Sequence, residues 1–398
     1  MLFDGGRNED DGTMSIALVG TRGVPARYGG FETAIEEVGQ RLVERGHDVV
    51  VYCRNAGGST ELPAEHLGMQ LVHLPALHRR SLETLSHTGL SALHLVRNRT
   101  DAAIVFNAAN APWLPLLRAA GVPVATHVDG LEWKRAKWGP TGQRYYRMCE
   151  SLAVRWSDAL IADAQGIADY YTEQFRAPTR LITYGAPLLE GCPSDRLSHL
   201  GLEPGRYHLV VARFEPENHV DVIVDGFVRS GSELPLIVVG SAPYSDAYTE
   251  KVRALGDHRV RYLGGLWDQE LLNQLYAHAA VYWHGHSVGG TNPSLLRAMG
   301  AGTAVNAFDV GFNREVLRTA GSYFRTAEDI PAMVDTAEND LQSLARRGAA
   351  SRREASRYDW DIVADSYEQL CLELRDGAHS PSRGLRVRQN ELATSRTR

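Results

Sequence analysis

Two glycine-rich stretches lie where a short apolar run gives way to an amphipathic one. The first covers residues 20–30, and the second covers residues 289–294, with a proline near the start of the following helical pattern. Glycine lets backbone amides approach a ligand closely, and a helix N-terminus adds positive potential, so each stretch could bind a diphosphate or a hydroxylated ligand. The alternative for the first stretch is a tight turn that merely needs glycine. It does not fit G-x-G-x-x-G and has no Gly-Lys-Ser/Thr, which argues against a dinucleotide site or a P-loop.

An arginine follows a predicted strand in the second half of the chain. Arg213 comes directly after the run 207–212, at the carboxyl end where doubly wound sheets bind ligands. Its planar cation would suit phosphate oxygens. The alternative is an ion pair with Glu215 or Glu217 on the surface of a loop. We prefer the binding role because of the position at the sheet edge.

Two histidines, His284 and His286, are two residues apart and could suggest a metal. No acidic or cysteine ligand lies near them, so one buried and one cleft-facing histidine is the preferred interpretation. The four cysteines lie far apart without a C-x-x-C pair, which argues against a zinc site and against a disulfide framework. No metal is therefore expected.

Cations alternate with aromatic residues between residues 132 and 147. Such a mixture suits a membrane interface, a phosphate-bearing lipid or a platform on which a sugar stacks. The alternative is a solvated helix face whose aromatic side chains pack inward. For the cluster as a whole we favour contact with an acceptor or a membrane.

The elements that would position these residues alternate along the chain. Short apolar, β-rich runs separated by amphipathic stretches predict βαβ units and parallel sheets. The predicted strands are 16–19, 49–53, 71–74, 102–106, 122–126, 159–162, 181–183, 207–212, 235–239, 260–263, 281–284, 303–306 and 322–324. The predicted fold class is α/β, with two Rossmann-like doubly wound domains that face a cleft.

The domain bounds follow from breaks in this pattern. A chain of 398 residues is long enough for two domains, each with its own core. The Pro- and Gly-containing segment 185–193 reads as the linker. We predict a disordered tail (1–13), a first Rossmann-like domain (14–187), a second Rossmann-like domain (188–358), a helix that packs back towards the first domain (359–376) and a disordered Arg-rich tail (377–398).

The composition excludes some classes of protein. Apolar residues make up 43% of the chain, and no apolar run approaches the roughly 20 residues that a membrane-spanning helix needs. The first residues lack a secretory pattern, so a cytoplasmic location is expected. A net charge of -6 gives no general reason to expect a nucleic-acid partner.

Taken together, these segments resemble the retaining GT-B glycosyltransferases of family 4. More narrowly, they resemble a bacterial subgroup of rhamnosyltransferases that act on undecaprenyl-diphosphate-linked sugars. The resemblance covers about residues 15–374, and its most specific pieces are the stretches 20–32, 129–135, 215–218 and 289–294.

The resemblance implies that the first domain (14–187) is the acceptor domain and that the second (188–358) is the nucleotide-sugar donor domain. It also implies retention of anomeric configuration without an enzyme nucleophile, a cofactor or a metal. Asp129 and Arg213 would be catalytic: Asp129 would orient the donor sugar or polarise the acceptor hydroxyl, and Arg213 would stabilise the departing diphosphate. The alternative for Asp129 is an Asx-type turn. The residues assigned to the donor are Gly29, Gly30, Asn218, His286, Gly289, Gly290, Thr291, Asn292, Ser294 and Arg297. Those assigned to the acceptor or membrane side are Arg22, Glu132, Trp133, Lys134, Arg135 and Lys137.

The chain departs from the family pattern at three of these positions. Asn218 stands where the broader family has a lysine, and Gly289 and Arg297 stand where it has a pair of glutamates. Glutamate at the second of these would accept hydrogen bonds from the nucleotide ribose, which an arginine cannot do. Either Arg297 turns to phosphate, or donor binding is weaker, or another acceptor has taken over.

The leading function is transfer of rhamnose from dTDP-rhamnose to a polyprenyl-diphosphate-linked sugar, with peripheral contact to the inner membrane surface, in the biosynthesis of a cell-surface polysaccharide. Because fold alone does not fix function, a degenerate, non-catalytic partner in a polysaccharide assembly complex is the main alternative, motivated by Arg297. A nucleotide-sugar 2-epimerase is a further alternative, ranked low because of the cluster at residues 132–135.

Overall fold

A computed structural model describes residues 12–26, 29–55, 62–77, 83–128, 130–241 and 246–377. Two sheets with flanking helices form the architecture of these residues. The prediction of an α/β fold with two Rossmann-like parallel sheets is confirmed. Asp129 and most of the two predicted tails lie outside the described residues.

The first sheet has eight strands in the order β3-β4-β2-β1-β5-β6-β7-β8. Strand β1 pairs in parallel with β2 and with β5, whereas the short β3 is antiparallel to β4. The strands are β1 (Ser15–Val19), β2 (Asp48–Arg54), β3 (Glu65–His66), β4 (Met69–Leu74), β5 (Ala102–Phe106), β6 (Val124–His127), β7 (Ala159–Ala162) and β8 (Arg180–Leu181).

Helices follow the strands of this sheet. Helix α1 places Ala34, Ile35, Val38 and Leu42 in the core, at the i, i+1, i+4 and i+8 positions of one apolar face. The helices are α1 (Gly30–Glu44), α2 (Glu83–Arg97), α3 (Leu114–Ala119), α4 (Pro140–Trp156) and α5 (Gln165–Phe175).

The second sheet has six strands in the order β11-β10-β9-β12-β13-β14, and their pairings are parallel. The strands are β9 (His208–Val211), β10 (Leu236–Val239), β11 (Val260–Gly264), β12 (Val281–His284), β13 (Ala304–Phe308) and β14 (Ser322–Phe324). The helices are α6 (Val220–Val228), α7 (Asp246–Leu255), α8 (Gln269–Ala277), α9 (Pro293–Gly300), α10 (Gly311–Leu317), α11 (Ile330–Asn339), α12 (Leu341–Ala355) and α13 (Trp360–Arg375).

The central strands explain why the chain folds into parallel sheets. Every residue of β5, β10 and β12 is buried, which is the behaviour of strands covered by helices on both faces. In the second sheet, Trp283 on β12 packs in one cluster with Phe227 and Phe324. The core of each sheet therefore holds the carboxyl ends of its strands in fixed positions.

The chain divides into two compact units whose limits are not single points in the sequence. One holds Met1–His127, Leu152–Leu160 and Ala364–Arg398, and the other holds Val128–Ser151 and Ile161–Val363. The predicted domain boundary at residue 187 stays a prediction. In the first unit, Arg45 contacts Glu368 of α13 at 2.8 Å, and His47 contacts the same carboxylate at 2.8 Å. Among the described residues, no helix has the length and apolar character required to cross a bilayer.

Candidate active site

The carboxyl ends of β9 and β12 lie side by side, because Trp283 is in register with Val210. After β9, a 3-10 turn at Pro216–Asn218 leads into α6. This turn is tied to the segment after β12: the Ser287 amide donates to the Glu217 carbonyl at 2.9 Å. The two segments therefore form one edge, of the kind where doubly wound sheets bind ligands.

Asn218 shapes the turn from inside the protein. Its side chain is fully buried, and Nδ2 donates to the carbonyl of Arg213 at 2.8 Å. The backbone of Asn218 also approaches Gly285 so closely that a Cβ at Gly285 would collide with it. The amide side chain thus supports the backbone at the point where Arg213 leaves the strand.

Arg213 is the most exposed cation of this edge. Its side chain is 41% exposed, and its Nη2 lies 3.7 Å from Glu215 Oε2. An exposed pair at this distance contributes little to stability. The guanidinium therefore has room to contact an anionic ligand.

Arg135 joins the stretch that starts near Asp129 to the turn after β9. Its side chain is only 13% exposed, and its Nε lies 2.5 Å from Glu132. Its Nη1 lies 3.4 Å from Glu215 and 3.5 Å from Glu217. The sequence analysis assigned Arg135 to the acceptor or membrane side and Asn218, in this turn, to the donor. It assigned neither Glu215 nor Glu217 to a site.

Glu132 is ionised inside this network. Burial raises the pKa of Glu132, but Arg135 and Lys137 more than offset that effect, so the pKa lies below its ordinary value. Lys137 Nζ lies 2.7 Å from Glu132 Oε1, and Trp138 Nε1 donates to the same oxygen at 3.3 Å. Glu132 therefore organises the surrounding cations rather than facing solvent.

An exposed surface of cations and aromatic rings follows Glu132. The Arg147 guanidinium lies 4.2 Å from the centre of the Trp133 ring, and Lys134 Nζ lies 5.5 Å from it. Trp138 packs against Tyr146 at 5.0 Å between ring centres. We call this the cation–aromatic surface, and its exposed cations are Lys134, Lys137, Arg144 and Arg147.

The loop before α9 has a fixed shape. Thr291 Oγ1 donates to the carbonyl of Asp163 at 2.5 Å, and a Cβ on Gly290 would collide with the Asp163 carboxylate. Asn292 caps α9 by accepting from the Ser294 amide at 3.0 Å, and Ser294 Oγ also bonds to Asn292 at 2.8 Å. Since these side chains hold the loop, backbone amides are the groups it can present to a ligand.

The two histidines after β12 stack on each other, with ring centres 4.4 Å apart. Burial lowers the pKa of His284 to about 3. Burial also holds the pKa of His286 well below its ordinary range, and His284 and Arg213 lower it further. Both imidazoles are therefore neutral near pH 7. Within the described ranges, no group of three His, Cys, Asp or Glu side chains could hold a metal ion.

Arg297 lies on α9 and points towards the start of α8. Its Nη1 donates to Gln269 Oε1 at 2.9 Å. Both residues belong to the unit that contains the second sheet. Whether Arg297 takes part in donor binding stays a prediction.

The first glycine-rich stretch lies in the other unit. Gly29 has a φ of 111°, which favours glycine, and α1 begins at Gly30. Glu32 accepts from the Arg22 amide at 3.2 Å, and burial raises the pKa of this carboxylate. The Arg22 side chain is exposed, and the assignment of this loop to a substrate stays a prediction.

Comparison with known families gives two adjacent matches. A "Glycosyl transferase 4-like domain" matches residues 29–185, and "Glycosyl transferases group 1" matches residues 205–343. A glycogen synthase of Mycobacterium tuberculosis is 26% identical over an alignment of 419 positions, which spans 95% of this chain and 99% of the relative. A phosphatidyl-myo-inositol mannosyltransferase of Mycolicibacterium smegmatis is 26% identical over 367 residues, which cover 84% and 88%.

Solved structures with the same fold cover almost the whole chain. The sucrose-phosphate synthase of Thermosynechococcus elongatus matches with a TM-score of 0.78 and 19% identity, over 90% of this chain and 98% of that one. The Anabaena protein Alr3699/HepE, in complex with UDP-glucose, matches with a TM-score of 0.71 and 16% identity, over 90% and 99%.

Proposed function

Because the chain belongs to the glycosyltransferases of family 4 and has the GT-B architecture, we propose that it transfers a sugar from a nucleoside-diphosphate sugar to a lipid-linked sugar. The observation that carries the proposal is Arg213, a cation 41% exposed at the carboxyl end of β9. The complexes of the Anabaena protein with UDP and with UDP-glucose favour a nucleotide-sugar donor.

The chemistry that this edge offers is stabilisation of a leaving group. In a transfer from such a donor, negative charge develops on the departing diphosphate. Arg213 would neutralise part of that charge, and the backbone amides of residues 290–292, at the N-terminus of α9, would add oriented dipoles. Asn218 fixes the backbone at Arg213, and Asp163 fixes the loop that carries the amides, so the backbone of both segments is in place before the reaction.

Transfer without a divalent metal is part of the proposal. Glu215, which lies 3.7 Å from Arg213, and Glu217 both face Arg135. A cation from the protein thus occupies the place beside these carboxylates, and the diphosphate would meet Arg213 instead of a metal. Retention of anomeric configuration, with Asp129 orienting the donor sugar or polarising the acceptor hydroxyl, follows from the family resemblance.

The acceptor is proposed from the cation–aromatic surface. Exposed cations beside Trp133 and Trp138 suit a phosphate-bearing lipid head group. One relative is named a phosphatidyl-myo-inositol mannosyltransferase, which favours a lipid acceptor. Rhamnose from dTDP-rhamnose remains the leading donor on the resemblance, and no relative reported above carries rhamnose in its name.

A binding titration tests the proposal. We expect the purified protein to bind one of UDP-glucose, GDP-mannose and dTDP-rhamnose saturably and with the same affinity in EDTA. Arg213→Gln should weaken that binding at least about tenfold, because a charged hydrogen bond contributes about 1.5–3 kcal/mol. Arg229→Gln removes an arginine that is paired with Asp225 on α6 and should leave the affinity unchanged. Absence of binding to every donor would favour the non-catalytic partner instead.

A further inference from the structure

Four buried polar atoms at the carboxyl ends of β9 and β12 lack a hydrogen-bond partner among the described residues. They are Glu217 Oε2, Asn218 Oδ1, His284 Nε2 and His286 Nδ1. Glu217 is 8% exposed, whereas Asn218 and His284 are fully buried. Buried polar groups are nearly always satisfied in native proteins. Other unpartnered buried atoms occur among the described residues, and these four are distinguished by lying together on the edge where a doubly wound sheet binds its ligand.

The four atoms belong to segments that are fixed to each other. Ser287 binds the Glu217 carbonyl twice, through its amide at 2.9 Å and through its Oγ at 3.0 Å. His284 and His286 stack at 4.4 Å. Arg135 lies 3.5 Å from Glu217 Oε1 and also acts electrostatically on His286. One ligand could therefore meet several of these atoms.

The chemistry of the atoms selects the kind of ligand. A carboxylate oxygen and an amide oxygen can only accept hydrogen bonds, and a neutral imidazole nitrogen can accept or donate. Phosphate oxygens at neutral pH are acceptors too, so they do not match Glu217 and Asn218. Hydroxyl groups do match, because each brings a donor.

We infer that Glu217 Oε2 and Asn218 Oδ1, together with His286 Nδ1, form a subsite that accepts hydrogen bonds from the hydroxyls of the transferred sugar. This inference rests on the proposed function, since it requires a nucleotide-sugar donor. Arg213 would contact the diphosphate, and Glu217 would contact the sugar beside it. Glu217 is thereby a specificity-determining residue: donor sugars with a hydroxyl placed to donate to its Oε2 bind more tightly than sugars without one.

The experiment compares each nucleotide sugar with its bare nucleotide. The dissociation constants of UDP and UDP-glucose, of GDP and GDP-mannose, and of dTDP and dTDP-rhamnose are measured by calorimetry for the wild type and the variants. Glu217→Ala should weaken binding of the accepted nucleotide sugar by about tenfold or more, as expected for loss of a charged hydrogen bond. It should leave the nucleoside diphosphate within about threefold, since that ligand lacks the sugar.

Glu215→Ala is the matched control. Glu215 also faces Arg135, at 3.4 Å, but its oxygens are not among the unpartnered buried atoms. The variant also removes the contact of Glu215 with Arg213, at 3.7 Å. Because Arg213 would contact the diphosphate that both ligands share, loss of these two contacts should leave the ratio of the two dissociation constants unchanged. Circular dichroism checks that each variant folds. Glu217→Gln, which preserves the shape and one acceptor oxygen, serves as a second variant and should shift the ratio less than alanine does.

Three results decide between the possibilities. A shift of the ratio in the Glu217 variants, without one in Glu215→Ala, supports the subsite. An unchanged ratio in both Glu217 variants overturns it and indicates that an ordered water satisfies these atoms. If the wild type binds none of the three nucleotide sugars more tightly than its bare nucleotide, the subsite fails. Absence of all nucleotide-sugar binding removes the proposed function with it.

Discussion

Replacement of Arg135 by methionine should destabilise the protein by about 3 kcal/mol. The arginine faces three carboxylates, but two of them retain a cation: Glu132 keeps Lys137 at 2.7 Å, and Glu215 keeps Arg213 at 3.7 Å. Glu217 keeps no other ion-pair partner among the described residues. Removing one member of a buried pair costs about 3–5 kcal/mol, and we take the lower end because the contact is long.

The assay is urea denaturation followed by circular dichroism, with the free energy of unfolding taken from the transition. The double variant Arg135→Met with Glu217→Met should recover about half of the loss, because it leaves no unpaired buried charge. Arg144→Met removes an exposed cation and should stay within about 0.5 kcal/mol of the wild type. If Arg135→Met is no less stable than Arg144→Met, or if the two changes simply add, the network has been misread.

Three further changes probe other parts of the molecule. Gly290→Ala should cost about 1–3 kcal/mol in a thermal or chemical unfolding experiment, because its Cβ would meet the Asp163 carboxylate. His284→Gln should reduce the loss of stability in acid. The folded protein holds the pKa of His284 at about 3, whereas the unfolded chain takes up this proton below a pKa near 6.5. The neutral imidazole therefore contributes its full stability above about pH 6.5. That contribution falls by about 1.4 kcal/mol per pH unit between those values, which unfolding at pH 7 and pH 4.5 would measure. A triple serine variant of the cation–aromatic surface should bind anionic vesicles more weakly in a sedimentation assay, by about fivefold for each charge removed. It replaces the exposed cations Lys134, Arg144 and Arg147.

Each of these changes has a control. Gly231→Ala adds a Cβ with nothing within 4 Å and should be neutral, so an equal effect at both glycines would remove the steric explanation. Equal acid sensitivity of wild type and His284→Gln would show that this histidine does not titrate on unfolding. The control for vesicle binding is a second triple serine variant, which replaces the exposed residues Arg253, Arg346 and Arg353. It loses the same charge and should keep vesicle binding. An equal drop in both variants would contradict a membrane-binding role for the cation–aromatic surface.

The strands were predictable because each is a short apolar run with clear ends. The prediction of 281–284 matches β12 in both bounds, and 122–126 differs from β6 (Val124–His127) by one or two residues. The weakest cases are two edge strands of the first sheet: β3, Glu65–His66, was not predicted, and β8, Arg180–Leu181, was predicted as 181–183. Each has two residues that are not buried, so neither carries an apolar pattern. Periodicity reports which face is buried, and an exposed edge strand has no such face.

The site was less predictable because its contacts join residues distant in sequence. Arg135 lies 80 residues before Glu215, and nothing local signals that pair. The sequence analysis assigned Arg135 to the acceptor or membrane side. In the structure its side chain is 13% exposed and lies among three carboxylates. The available signal was a pair of glutamates on either side of Pro216, in the turn after a strand. Two carboxylates so close together indicate that a cation from a distant part of the sequence pairs with them.

The composition of the two units also limits how this chain can be recombined with its relatives. Residues 128–151 belong with residues 161–363, so a hybrid joined at residue 187 would inherit Arg135 from one parent and Glu217 from the other. Such a hybrid keeps its charges matched only if both parents carry the same pair. Crossovers that exchange residues 128–151 together with residues 161–363 transmit the pair intact, and the contacts of Arg135 with Glu215 and Glu217 are then inherited from one parent.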